Sequence, residues 1–371
     1  MRRLALALAQ VMALALALVT VTACTRHTLR GADPKVPVRL PRDHAGHGDA
    51  QTEWWHFHGH LIDAAGGRHD FFLGFVRQHT DRDKLWFLPV RWFVDPFHVA
   101  YFTVTDRAAG RFDVREKHSY PDTWAASASN TRLALRHDSW RAAAAGDGFT
   151  LDARTRHQHL TLRMDPATAP ALLGKRGYLD VPPRSAHYYY SIPLLTARGT
   201  LTVNGKARAV SGTAWLKHEW GFMYTDHLAG WVWFGVQLGS GHQLEIGLIF
   251  DRRWNLAPGS FAVVEEPGGG VTPIVVNQLG VLESGETWRS PRTGTVYPTG
   301  WALEVPGRGT LILRAPVPGQ EMVVFPANLW AGSMEVSGDF DGAPALGDAF
   351  VEFLGLDTPF GRSLLHSGRP E

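Results

Sequence analysis

The sequence predicts an all-β protein in two strand-rich halves, and three observations carry that expectation. Short alternating or continuous apolar runs recur from Thr52 onward, each closed by Gly, Pro, Asn or Asp. Almost nothing reads as a long amphipathic helix. The 371 residues also exceed the roughly 250–300 at which a single core stops growing.

Taken in order, the chain opens with Arg2 and Arg3 before an apolar run over 4–23, the n-region and h-region of a signal peptide. That run is long enough to span a bilayer, so a retained anchor competes with cleavage. Val21-Thr22-Ala23-Cys24 favours cleavage, because it resembles a bacterial lipobox and gives the only cysteine in the chain a role as the lipidated N-terminus. Thr25 in place of Asp after that cysteine points to the outer membrane, with the protein facing the periplasm. Residues 24–50 read as a tether, 51–222 and 223–356 as two domains, and 357–371 as a tail. Strands are expected over 54–62, 69–76, 199–203, 231–238, 243–250 and 310–314, and short helices over 142–145 and 167–175. Val203-Asn204-Gly205-Lys206 is the strongest hairpin cue.

Composition excludes several functions. The 37 basic and 35 acidic residues become 35 of each once Arg2 and Arg3 leave with the leader, so no basic stripe is available for nucleic acid. One cysteine rules out a disulfide framework or a thiolate metal cluster. No nucleophile elbow, P-loop or Gly-rich dinucleotide turn is present, and no cofactor is expected.

Three constellations could carry chemistry. In Glu53-Trp54-Trp55-His56-Phe57-His58-Gly59-His60-Leu61, strand alternation puts Trp54, His56, His58 and His60 on one face and Trp55, Phe57 and Leu61 on the other. Imidazoles two apart on a strand suit Zn²⁺ or Cu²⁺. With no acid at ligand spacing they are read as lining a polar face, and no metal is assigned.

In Trp215-Leu216-Lys217-His218-Glu219-Trp220, a carboxyl and an imidazole stand among indoles, where desolvation can make Glu219 a proton donor. The competing reading is a Lys217–Glu219 ion pair and a backbone-satisfied His218. In Gly230-Trp231-Val232-Trp233-Phe234-Gly235, Gly235 leaves space beside Trp231 and Trp233 for a flat apolar ligand, or simply for core packing.

These constellations occur in order with Tyr188-Tyr189-Tyr190-Ser191, Gly212-Thr213-Ala214-Trp215, Ser290 to Gly294, Tyr297-Pro298, Trp301, Trp330-Ala331-Gly332 and Glu352-Phe353-Leu354-Gly355. Together they resemble the AttH-like family that includes the carotenoid 1,2-hydratases, over about 52–356. The resemblance implies two lipocalin-like β-barrel domains packed together, with an apolar-ligand cavity near their junction. Lys217, Val232 and Ala331 depart from acidic positions of the family, and Phe350 and Leu356 from tyrosines. Glu53, Glu219, Asp226 and Glu245 are left as acids.

The sequence is therefore read as a lipid-anchored envelope protein that binds or hands over a hydrophobic small molecule, with an ABC-type exporter as a partner. Trp54, His56, His58, His60, Tyr189, Trp215, Trp220, Trp231 and Trp233 are its ligand-binding residues. The alternative is a hydratase- or isomerase-type enzyme on an isoprenoid-like substrate, using His218, Glu219 and Asp226.

Overall fold

The computed structural model describes residues 29–79, 95–120, 125–224, 227–324 and 328–354. The leader with Cys24, the start of the tether, Asp226 and the tail lie outside the described residues. Those described form strands, turns and two short 3-10 helices, Arg42–His44 and Val276–Gln278.

The first sheet opens with β1 (Thr52–Asp63), β2 (Arg68–Gln78), β3 (Phe97–Asp106), β4 (Arg111–Ser119), β5 (Ala126–Ala128), β6 (Ala134–His137) and β7 (Trp140–Ala145). It continues with β8 (Gly148–Arg154), β9 (Gln158–Pro166), β10 (Ala171–Leu172), β11 (Tyr178–Val181), β12 (Ser185–Val203) and β13 (Lys206–Phe222). The second half holds β14 (Leu228–Leu238), β15 (Gln243–Asp251), β16 (Phe261–Glu265), β17 (Val271–Pro273), β18 (Gly280–Glu283) and β19 (Thr287–Arg289). It ends with β20 (Val296–Pro298), β21 (Gly300–Val305), β22 (Gly309–Arg314), β23 (Glu321–Met322), β24 (Leu329–Phe340) and β25 (Ala343–Leu354).

Both large sheets are antiparallel and share one closing device, while β19 and β20 form a separate two-stranded ribbon. In the first, the path runs β4-β3-β2-β1-β13-β12-β9-β8-β7-β6-β5, so the opening strand pairs with the last. In the second, β14 pairs with β25 in the path β17-β16-β15-β14-β25-β24-β22-β21-β18. These are the two lipocalin-like barrels that the resemblance implies.

Alternation along each strand divides its side chains between a barrel interior and a seam. Trp55, Phe57 and Leu61 enter the first core with Leu216 and Trp220. Val232, Phe234 and Val236 enter the second. A third apolar cluster, with Phe72, Trp215, Trp233, Ala331 and Phe350, joins the outer faces of both sheets.

Asn204 (φ 50°) and Gly205 (φ 79°) turn the β12–β13 hairpin through the left-handed region, as their sequence predicts. Two expectations are corrected. Residues 142–145 belong to β7 and 167–175 to turns around β10, because each short apolar run finds a strand neighbour. Residues 29–50 do not hang free as a tether: Val38, Asp43, Ala45 and Ala50 are buried against the first barrel.

Candidate active site at the seam between the barrels

The outward faces of β1, β12 and β13 meet those of β14, β15 and β25. The Glu245 side chain is buried and accepts hydrogen bonds from three donors, two on β12 across the seam and one on its own sheet neighbour β14. Ser191 Oγ donates at 2.5 Å, Trp233 Nε1 at 3.1 Å, and the Tyr189 hydroxyl also donates to it. Burial raises the Glu245 pKa above the usual carboxylate range, against the pull of these donors and of Lys217. Its neighbour Glu265, on the same face of the β15–β16 ladder, is pushed up to about 8 by burial and by the Glu245 charge.

Lys217 Nζ donates to Glu352 Oε2 at 2.9 Å and stands 3.8 Å above the Trp233 ring. Burial alone would raise Glu352, but Lys217 and His56 outweigh it and hold that carboxylate ionised. Farther along the seam, Thr213 donates to Gln237 at 2.6 Å, and Gln237 Nε2 donates to the Pro193 carbonyl at 2.7 Å.

The expected residues divide between this seam and other places. Trp215, Tyr189 and Trp233 are buried in it, and Trp54, Glu219 and Trp231 lie half-buried on the same outward strand faces. His56 faces Glu352 at 3.5 Å, and His58 stacks on Phe350 at 4.4 Å, with burial holding its pKa well below the usual imidazole value. His60 sits apart, bonded to Asp70 at 2.7 Å, which in turn binds Arg107. The three imidazoles thus take separate partners instead of converging on one ion.

His218 and Glu219 do not form one site, because they are neighbours on a strand and face opposite ways. Glu219 reaches His187 at 2.8 Å rather than Lys217. His218 and Trp220 point into the first barrel, so Trp220 borders its core and not the seam.

There His218 Nε2 donates to Glu53 Oε1 at 3.0 Å, so this nitrogen is satisfied by a carboxylate and not by backbone, while Nδ1 is buried without a hydrogen-bond partner among the described residues. Burial drops the His218 pKa to about 4. Burial works the other way on Glu53, but bonds from His218 and His47 and the Arg77 charge keep it ionised. His47 Nδ1, Glu53 and His218 form a set whose ligand atoms lie within 4.8 Å of one another.

The expected open space beside Gly235 is filled. The Trp233 ring folds over that glycine so closely that an added Cβ would lie 2.3 Å from it. The indoles at the seam therefore pack as a core, Trp215 being 1 % and Trp233 4 % exposed. Among the described residues, His58 Nε2, Trp215 Nε1 and Glu352 Oε1 are buried at the seam without a hydrogen-bond partner.

Sequence reasoning named Glu53 and Glu245 among its acids but missed their partners. Ser191 and Glu352 stood in quoted motifs with no role, and Arg77, Asp70 and Arg107 carried no local signal. Val232 faces the second core, so an acid there would point away from the seam.

The AttH-like family model matches residues 31–356. Among solved structures, a putative AttH from Nitrosomonas europaea is 26% identical, with TM-score 0.77, covering 88% of this chain and 100% of that one. Kievitone hydratase from Nectria haematococca is 15% identical, with TM-score 0.69 and coverage of 88% and 95%. CghA with Sch210972 is 13% identical, with TM-score 0.54 and coverage of 88% and 98%. No curated protein matches the chain. A match over both barrels, together with the strand order that joins each barrel's first strand to its last, makes this chain a member of the AttH-like family.

Proposed function

We propose that the chain is an acid–base enzyme of the hydratase type, acting on a hydrophobic, isoprenoid-like alkene at the seam, whose packed indoles part to admit it. The observation that carries this reading is Glu245, a buried carboxyl with a raised pKa, oriented by Tyr189, Ser191 and Trp233. Alkene hydration begins with proton transfer to carbon, which needs a neutral, positioned acid. The Glu245 carboxyl protonates one alkene carbon, the π bond breaks, and positive charge develops on the other. Indole faces stabilise such a charge, as the Trp233 ring already does for Lys217. Water then forms the C–O bond and returns its proton to the carboxylate. The hydratase among the structural neighbours lends support through a shared fold.

The departures at Lys217 and Ala331, both at the seam, favour a second reading, a carrier that hands a hydrophobic molecule to an ABC-type exporter. A lipid anchor at Cys24 and a position on the periplasmic side of the outer membrane suit either role and belong to the same proposal.

The experiment offers the full chain an acyclic polyene in detergent micelles and follows hydration by mass and binding by tryptophan quenching. Turnover in the wild type, reduced about 10²-fold or more in Glu245→Gln with quenching retained, is the expected result. Quenching with no turnover in either protein would establish the carrier reading. Turnover unchanged in Glu245→Gln would remove Glu245 from the mechanism.

A further inference from the structure

The cluster inside the first barrel has features that the seam chemistry does not use. His47 lies on the segment 29–50, Glu53 begins β1, and His218 stands on β13. His47 Nδ1 is 2.8 Å from Glu53 Oε1, and His218 Nε2 is 3.0 Å from the same oxygen. Zinc bonds of about 2.0–2.2 Å in a tetrahedral set place donor atoms roughly 3.3 Å apart, close to this spacing.

The surroundings match what metal ligands usually receive. Arg77 Nη2 donates to Glu53 Oε2 at 2.5 Å, and the His47 backbone N–H donates to both oxygens at 3.0 Å, which fixes the carboxylate with a lone pair of Oε1 toward the two imidazoles. The far nitrogen of His47, Nε2, faces the Asp43 carboxylate at 3.6 Å, an ion-pair contact on the side from which a carboxylate commonly orients a metal-bound imidazole. Both rings are held flat against indoles, His47 on Trp220 at 4.1 Å and His218 on Trp55 at 4.6 Å.

We propose that His47, Glu53 and His218 bind one divalent transition-metal ion of the zinc class through two imidazole nitrogens and one carboxylate oxygen. The ion would clip the segment 29–50 to the two strands that close the first barrel. Three protein ligands leave a further coordination position for water. His218 points into the first barrel, away from the seam that holds Glu245, so the site stands or falls independently of the proposed hydration.

The test uses the untagged full chain, stripped with chelator and titrated with Zn²⁺ and with Co²⁺. About one equivalent should bind, Co²⁺ should show the visible bands of a low-coordinate site, and the melting temperature should rise with metal concentration. His47→Gln and His218→Gln should lose all three effects, whereas His159→Gln, on the far strand β9, should keep them. If His218→Gln does not fold, His47→Gln and the wild-type Co²⁺ spectrum still decide. Failure of the wild type to bind, or equal uptake by His47→Gln, would overturn the proposal. A protonated His47 bridging Asp43 and Glu53 would then account for the cluster.

Discussion

Lys217 on β13 and Glu352 on β25 form an ion pair of 2.9 Å across the seam, with both side chains buried. Removing one partner leaves the other charged in a dry setting, whereas removing both leaves an apolar contact. Lys217→Met alone should lose about 3–5 kcal/mol of stability, and Lys217→Met with Glu352→Leu should recover most of it. Calorimetric melting of the two singles and the double checks this. Additive losses would show that the residues are not coupled.

Glu265 predicts a pH effect of definite sign. Its carboxyl titrates near 4.5 when unfolded and at about 8 when folded. The folded chain therefore holds an extra proton between those values, and this group's stabilisation is full below the window and lost as pH rises through about 8. His218, lowered from 6.5 to about 4, works in the opposite sense. The difference between the wild type and Glu265→Gln isolates the first effect: denaturant midpoints should converge in acid and favour the variant at pH 9. A gap that does not change with pH would contradict the assignment.

Gly235→Ala tests the packing of Trp233. The new methyl group meets the indole at 2.3 Å, so the ring must leave its place beside Tyr189 and Glu245. A cost of about 1–3 kcal/mol is expected, with a red-shifted tryptophan emission. Unaltered emission and stability would mean that the ring has another place to go.

Cys24 lies outside the described residues, and its proposed lipidation rests on the lipobox-like sequence alone. Cys24→Ala should leave a larger precursor in the inner membrane, and globomycin should cause the same accumulation in the wild type. Equal mobility on gels, with and without the substitution, would remove the anchor from the proposal.

The class of fold and the faces of the strands were legible because period-two alternation is local. His58 and Trp55 could be assigned to opposite sides from adjacent letters alone. Which side met what was not legible. Glu352 reaches Lys217 only because β14 pairs with β25 and the barrels abut, a relation between residues far apart in sequence. The same limit hid Arg77 from Glu53. Gly235 misled for a different reason: absence of a side chain predicts space but not which neighbour will take it, and the neighbour was Trp233 itself.

The pairing of β1 with β13 also bears on biosynthesis. A chain that emerges N-terminus first presents β1 long before its partner exists, since almost the whole first half lies between them. Non-local pairing of this kind slows folding, and an unpaired edge is a template for aggregation. The fragment ending before Lys206 should therefore need a holding chaperone, whereas release of β13 lets the first barrel close in one step. The second half repeats the arrangement with β14 and β25, so each barrel has its own interval of vulnerability between its first strand and its last.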